Sequence, residues 1–229
     1  MAYDFDKIAH TYDRLNHIMT LGMDRCWRKH AVKSLHGNVL DVACGTGDMV
    51  TELARRGCNV TGVDISEEML EIAKSKTASA NCQLSIINYQ LANAEALPFA
   101  DGEFDAVTCA FGVRNFVHLE QGLSEMLRVL KPSGRMVILE LSTPDDPLVK
   151  PFYNLYTRII IPWLGARIAG NREAYTYLPQ SVERFPKGDA FLSVLGDSVA
   201  KNATERKLTF GVCRLYTVQK VKNKEAARC

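Results

Sequence analysis

The run Asp41-Val42-Ala43-Cys44-Gly45-Thr46-Gly47-Asp48 holds the residues with the most evident chemistry. Its Gly-x-Gly turn follows a short apolar run, 39–43, and precedes residues with helical spacing. Gly45 and Gly47 let a ligand approach the backbone closely, and strand, turn and helix in that order form a nucleotide-binding arrangement. A dinucleotide fingerprint needs a third glycine three residues after the second, where this chain has Val50. No Gly-Lys-Ser/Thr follows, which excludes a phosphate-cradling P-loop. Asp48 would also repel a pyrophosphate at a helix N-terminus. Asp64, ending a second apolar run, stands where a carboxylate accepts hydrogen bonds from both ribose hydroxyls. A nucleoside with no phosphate, carrying a sulfonium and an ammonium, suits a turn bearing Asp41, Asp48 and Asp64. S-adenosylmethionine is such a ligand.

Other side chains are less specific. His10 and His17 are possible bases with no visible partner, and a structural role is the better default for each. Cys44 sits inside the turn without an activating base, so packing is expected of it. Seven cysteines at 26, 44, 58, 82, 109, 213 and 229 contain no Cys-x-x-Cys pair, against both a zinc site and a disulfide framework. Thiols within apparent core strands point to a reducing cytoplasm.

The elements that must position these residues follow from periodicity. Strands are expected over 39–43, 60–65, 84–91, 104–110 and 135–141. Val50, Leu53 and Ala54 lie on one face of a first helix, ended by Gly57. Ser66 is an N-cap for a second helix with Met69, Leu70 and Ala73 on one side and Glu67 and Glu68 in its first turn. Leu119, Leu123, Met126, Leu127 and Leu130 mark a third helix, stopped by Lys131-Pro132-Ser133-Gly134. This alternation implies an α/β fold with a mainly parallel, doubly wound sheet. Between about 144 and 190 an aromatic, helical insertion interrupts the alternation, and strand-like runs resume at 207–213 and 214–221. One domain over 1–229 is expected, opening with a helical segment at 1–36.

The 229 residues are 47% hydrophobic and 24% charged, which permits a sizeable core. A net charge of +2 gives no electrostatic footprint for nucleic acid. The Asn/Asp-Pro-Pro-Tyr/Phe motif used on flipped bases is also absent. The N-terminus lacks signal-peptide features, and the apolar run 159–164 is too short to span a bilayer, so any membrane contact is expected to be peripheral.

Motifs along residues 5–186 resemble the C-methyltransferases of menaquinone and ubiquinone biosynthesis, within the class I S-adenosylmethionine-dependent methyltransferases. They include Phe5-Asp6-Lys7-Ile8-Ala9, Tyr12-Asp13, Trp27-Arg28, the glycine turn, Asp64-Ile65-Ser66, Asn93-Ala94-Glu95-Ala96-Leu97-Pro98-Phe99, Phe111-Gly112-Val113-Arg114-Asn115 and Arg128-Val129-Leu130-Lys131-Pro132. The glycine turn alone indicates only the superfamily, whereas the Asn93 and Phe111 segments together are specific to the family. The chain departs from the pattern at Ala110, where a serine is frequent, and beyond residue 192, where an Ala-Gly-Phe is missing.

The resemblance implies a Rossmann-like fold with an antiparallel C-terminal strand. It places cofactor contacts at Thr46, Asp64, Asn93 and Ala94, beside Gly45, Gly47 and Asp41 of the turn. It also implies methyl transfer to a ring carbon of a polyprenylated naphthoquinol (demethylmenaquinol) or of a 2-polyprenyl-methoxy-benzoquinol. Arg114 and Asn115, just past the fourth strand, would face such a substrate. Arg114 could stabilise a phenolate or position a water, and Tyr12 could hydrogen-bond to the substrate. The alternatives are an arginine paired with a carboxylate and a tyrosine packed as a lid. The insertion would line an isoprenoid channel, form a membrane-facing lid or pack as a core helix pair. Peripheral contact at the inner membrane face and a homodimer are compatible with this reading. A non-catalytic cofactor-binding scaffold is the competing class.

Overall fold

The computed structural model describes residues 13, 16–17, 19–80, 85–160, 179–196 and 202–221. Seven strands form one sheet: β1 (Asn38–Val42), β2 (Asn59–Asp64), β3 (Ile87–Leu91), β4 (Phe104–Ala110), β5 (Leu130–Leu141), β6 (Ala203–Leu208) and β7 (Cys213–Gln219). Their order is β3-β2-β1-β4-β5-β7-β6. The first five are mutually parallel, and β7 runs antiparallel to both β5 and β6. This is the Rossmann-like class I methyltransferase architecture expected from the sequence.

Helices cover the sheet: α1 (Met23–Ala31), α2 (Asp48–Ala54), α3 (Glu67–Ser79) and α4 (Leu119–Arg128), with short α5 (Val149–Leu155) and α6 (Asp189–Val194) between β5 and β6. A π-helical turn, Tyr156–Ile160, extends α5, and residues 179–184 are helical. One core cluster joins α1, α2 and the sheet through Trp27, Val39, Leu53 and Leu139, and a second joins α4 and α6 to the sheet through Leu40, Leu123, Ile138 and Phe191. Parallel strands covered on both faces need mainly apolar residues, as in β1 and β4, whose buried polar members Asp41 and Thr108 bond to each other. Four of the five described cysteines (44, 58, 109 and 213) are buried, as free thiols.

The Ser66 hydroxyl accepts from the Met69 amide at 3.1 Å, the expected N-cap. α2 ends at Ala54, and Gly57 takes a positive φ just beyond it.

The strand boundaries differ most at β5 and β6, and β3 begins at Ile87, later than the expected 84. β5 pairs from Leu130, not Arg135, because 131–134 form a bulge within the strand. Phe104 faces Leu130 while Ala106 faces Arg135. Ser133 takes φ 65 there and donates its amide to the Lys220 carbonyl, while Lys220 donates back to Gly134. Pro132 is tolerated because a bulge asks nothing of its missing donor. At the other edge β6 ends at Leu208, since Thr209 and Phe210 adopt positive φ in a turn that reverses the chain into β7.

Candidate cofactor and substrate site

The carboxyl ends of β1, β2 and β4 meet where the strand order reverses, the place where open α/β sheets bind ligands. Cys44 donates its amide to Val63 at 2.9 Å and Gly47 donates to Cys44 at 3.0 Å, folding the turn tightly over β2. Gly45 and Gly47 have φ 54 and 81. A Cβ on Gly47 would lie 2.9 Å from both Ala73 and the Tyr89 hydroxyl, so this position needs glycine for conformation and for space.

A cavity of about 250 Å³ opens above the turn. Gly45, Asp64, Asn93 and Ala94, all expected cofactor contacts, line it together with Asn115. Ile65, Met69, Phe111, Phe116 and Val117 supply apolar walls. Asp64 accepts from the Gly45 amide at 2.8 Å and the Ser66 amide at 3.0 Å. Those bonds orient the carboxylate, and its four or so acceptor positions let it serve backbone and ligand together. The Asn93 side-chain oxygen accepts from the Glu95 amide at 2.9 Å, fixing the loop after β3. A carboxylate for a ribose, an apolar slot for an aromatic base and a side-chain-free turn fit S-adenosylmethionine.

The remaining expected contacts stand behind this lining. Thr46 is buried and donates its hydroxyl to Asp13. Asp41 is buried and accepts from the Thr108 hydroxyl at 2.6 Å. Burial pushes its carboxyl up to about 7, against the Thr108 hydrogen bond and the nearby Arg28 charge.

Asp48 corrects the electrostatic reading of the turn. Its carboxylate lies 2.8 Å from the Lys76 ammonium and 3.5 Å from Arg28. Burial opposes its charge, but Arg28 and Lys76 outweigh burial and hold its carboxyl below the usual range. Its charge is neutralised within the protein and is not offered to a ligand. Lys76 also binds Asp13, so the segment before α1 is tied to the turn through a lysine that the sequence did not single out.

The segment 111–115 follows β4 directly. Phe111 has φ 60, and a Cβ on Gly112 would come 2.7 Å from the Ala43 Cβ and 2.8 Å from the Cys109 sulfur. Arg114 turns inward. Its Nη1 meets Glu140 Oε1 at 2.7 Å and also donates to the Phe111 carbonyl, and its Nε donates to the Ser181 hydroxyl at 3.3 Å. Both ionic side chains are almost wholly buried, 3% and 1% exposed. The paired-arginine alternative therefore describes its geometry, while Phe111, Gly112 and Asn115 of this segment line the cavity. Glu140 escaped the sequence reading; its signal was a lone acid in the apolar run 136–141.

Cys44 has its thiol pushed well up, chiefly by burial and then by Asp41 and Asp64, which suits packing and not nucleophilic attack. His17 pairs with Asp24 at 2.9 Å. Tyr12 and His10 lie outside the described residues.

A second, mainly apolar cavity of about 260 Å³ lies beside α5. Leu141, Phe152, Tyr153, Tyr156, Val182 and Phe210 are among its walls. Burial pushes the Tyr153 phenol up to about 12, with Glu183 adding to the rise, so it stays neutral.

The model of the ubiE/COQ5 methyltransferase family matches residues 2–220. The chain belongs to that family. It is 45% identical over 223 residues to the Ubiquinone/menaquinone biosynthesis C-methyltransferase UbiE of Geotalea daltonii, covering 94% of each protein. It is 42% identical over 226 residues to the Demethylmenaquinone methyltransferase of Bacteroides fragilis, covering 94% of this chain and 90% of the relative. Among solved structures, a SAM-dependent methyltransferase from Thermotoga maritima superposes with a TM-score of 0.63 at 16% identity, covering 94% of this chain and 98% of the other. That likeness shows the fold alone. S-adenosylmethionine is accordingly the cofactor of this methyltransferase, in agreement with the cavity's lining. Among the described residues no helix is long and apolar enough to cross a membrane.

Proposed function

We propose that this methyltransferase converts demethylmenaquinol to menaquinol by methylating a ring carbon. The observation that carries the reading is the 42% identity to the Bacteroides relative over nearly the whole chain, with its Asn93 and Phe111 segments meeting at one cavity. The printed name of the Geotalea relative covers both quinones, so a 2-polyprenyl-methoxy-benzoquinol is the second substrate reading.

Bound S-adenosylmethionine supplies an electrophilic methyl group and leaves as S-adenosylhomocysteine. The reduced ring supplies the nucleophilic carbon once its hydroxyl proton is lost or strongly shared; the methyl–sulfur bond breaks as the carbon–carbon bond forms, and the ring carbon then gives up its own proton to solvent, restoring the aromatic ring. The protein's part is proximity, orientation and exclusion of water. Gly45, Asp64, Asn93 and Ala94 hold the nucleoside, with Thr46, Gly47 and Asp41 shaping the turn from behind. Asn115 faces the quinol from the cavity wall. Arg114 acts through position, locking 111–115 onto β5 by its bond to Glu140.

The described parts of the insertion, 144–160 and 179–190, cap the substrate, and the second cavity receives the prenyl chain. Its rim residues Leu21, Phe152 and Phe210 are 71%, 74% and 74% exposed, an apolar edge suited to peripheral contact with the membrane that stores such quinols. Incubation with methyl-labelled S-adenosylmethionine and each reduced quinone tests the assignment. Label is expected in the naphthoquinol. Label in the benzoquinol alone favours the second reading, and label in neither overturns both.

A further inference from the structure

Ala92, Asn93, Ala94 and Glu95 form one wall of the cofactor cavity, in the connection between β3 and β4. Residues 92–103 form no helix or strand, so no ladder of backbone bonds fixes this wall. Helix α4 supplies the missing bonds. His118, at its N-cap, and Gln121, Glu125 and Arg128 recur every three or four residues and so share one stripe of the helix. The stripe is distinct from the face that packs Leu123 and Met126 into the core.

Each member of the stripe holds the backbone or a side chain of the connection. The His118 amide donates to the Glu95 carboxylate at 2.9 Å, and Gln121 Nε2 donates to the Glu95 carbonyl at 2.8 Å. Glu125 accepts from the Leu97 amide at 2.8 Å. Arg128 donates to the Leu97 and Phe99 carbonyls at 2.9 and 2.8 Å and to Asp101 at 2.7 Å. It also donates twice to Glu125, at 2.6 and 2.9 Å. These bonds are as many as a guanidinium has N–H groups. Glu125 and Arg128 together occupy both backbone groups of Leu97, whose side chain is buried in the same core cluster as Leu123. The Arg128 hydrogen bonds hold the Glu125 carboxyl below the usual range, against burial, so the pair stays ionic at neutral pH.

Gln121, Glu125 and Arg128 are not among the described residues that line the cavity. We propose that this stripe of α4 is a positioning element for the cofactor, fixing the backbone at 95–101 and, through it, the nucleoside wall at 92–95. A wall already ordered costs the ligand nothing to order on binding. The stripe therefore sets affinity without touching the ligand. The inference rests on S-adenosylmethionine being the cofactor and is independent of which quinol is methylated.

Calorimetric titration with S-adenosylhomocysteine, hydrogen exchange and urea unfolding test it together. Arg128→Met should raise the dissociation constant on the order of tenfold. It should also speed exchange at 95–102 and leave β1 and β4 unchanged. Saturating S-adenosylhomocysteine should restore most of the lost protection, because the ligand then holds the wall. Glu125→Gln keeps an acceptor for the Leu97 amide and should lose far less affinity than Glu125→Ala. Asn93→Ala should cost less affinity in the Arg128→Met background than in the wild type, since a loosened wall has already forfeited part of that contact. Gln121→Ala removes a single bond from an exposed position and should weaken binding about twofold to fivefold. It carries the test if Arg128→Met fails to fold.

A lower urea midpoint with an unchanged dissociation constant marks a purely structural role and overturns the proposal. Strict additivity of Asn93→Ala with Arg128→Met, or with Gln121→Ala, does the same. If the wild-type protein does not bind S-adenosylhomocysteine, the cofactor site itself fails, and the positioning role with it.

Discussion

Arg114 looked like a substrate contact because it follows β4 at the ligand-binding edge. In the structure its Nη1 pairs with Glu140, 26 residues away on β5. A single sequence shows where a strand ends but not which buried acid on the neighbouring strand claims an arginine. Removing one member of a buried ion pair strands the other, at a cost of about 3–5 kcal/mol. Arg114→Ala should therefore lower unfolding stability by about that amount, measured by urea titration. Arg114→Met with Glu140→Gln should recover most of the stability and still turn over slowly, because 111–115 is no longer held to β5. Full recovery of turnover in the double variant would remove Arg114 from any positioning role. Asp41 gives a second test. In the unfolded chain an aspartate titrates near pH ~3.9, whereas burial pushes Asp41 to about 7 in the fold. The folded state keeps a proton that the unfolded chain has lost in that window. The resulting stability is full below about pH 4 and is lost as pH rises through about 7. Asp41→Asn keeps an acceptor for Thr108 and ends the titration. Urea midpoints from about pH 5 to 8 should fall less steeply in the variant, and parallel slopes would refute the assignment.

Elements were legible where periodicity was clean. The expected strand 104–110 is β4 as found, and Ser66 caps α3 because acid and hydroxyl signals coincide there. The Lys-Pro-Ser-Gly run was not legible as strand, since proline and glycine signal a break equally well for a loop and for a bulge. The turn's charge was misread for a related reason: Asp48 is acidic in sequence, but Lys76, a full helix away, neutralises it in space. Long-range ion pairs of this kind also hold the insertion. Asp145, just past β5, reaches Lys187 at 2.7 Å, Lys207 at 2.9 Å and Arg214. Hydrogen bonds from Lys187, Lys207 and Arg214 depress its carboxyl far below the usual range, against a smaller effect of burial. A depressed carboxylate contributes stability above its unfolded pKa and loses it as pH falls through the folded one. Asp145→Asn should speed hydrogen exchange of residues 179–196 at neutral pH while leaving β1 and β4 unchanged. The difference from wild type should shrink as the solution is acidified. Uniform exchange changes across the sheet would show that Asp145 does not act locally.

At the scale of the whole molecule, the two cavities differ in kind: Asp64, Asn93 and Asn115 stand among the apolar walls of the first, and the second is almost wholly apolar. The cofactor cavity owes its polar contacts to the carboxyl edges of β1, β2 and β4, which any chain of this topology presents. The second cavity depends on α5, residues 179–184 and the turn after β6, the parts whose aromatic pattern fitted a core helix pair as well as a channel. Its rim exposes Phe152 and Phe210, a placement that core packing does not explain. If this cavity binds the prenyl chain, substrate affinity should grow with tail length while the chemical step does not, because tail contacts bind ground and transition states alike. Each added isoprene buried should lower KM until the cavity is filled, at about 0.8 kcal/mol per buried methylene-sized group. Phe152→Ala should flatten that dependence, raising KM for long-tailed quinols and leaving kcat and the KM of a tail-less quinol unchanged. Vesicle co-sedimentation separates the tail from the surface: Phe210→Asp should weaken binding to neutral vesicles even without quinol. A KM independent of tail length in the wild-type protein would assign the cavity to another occupant.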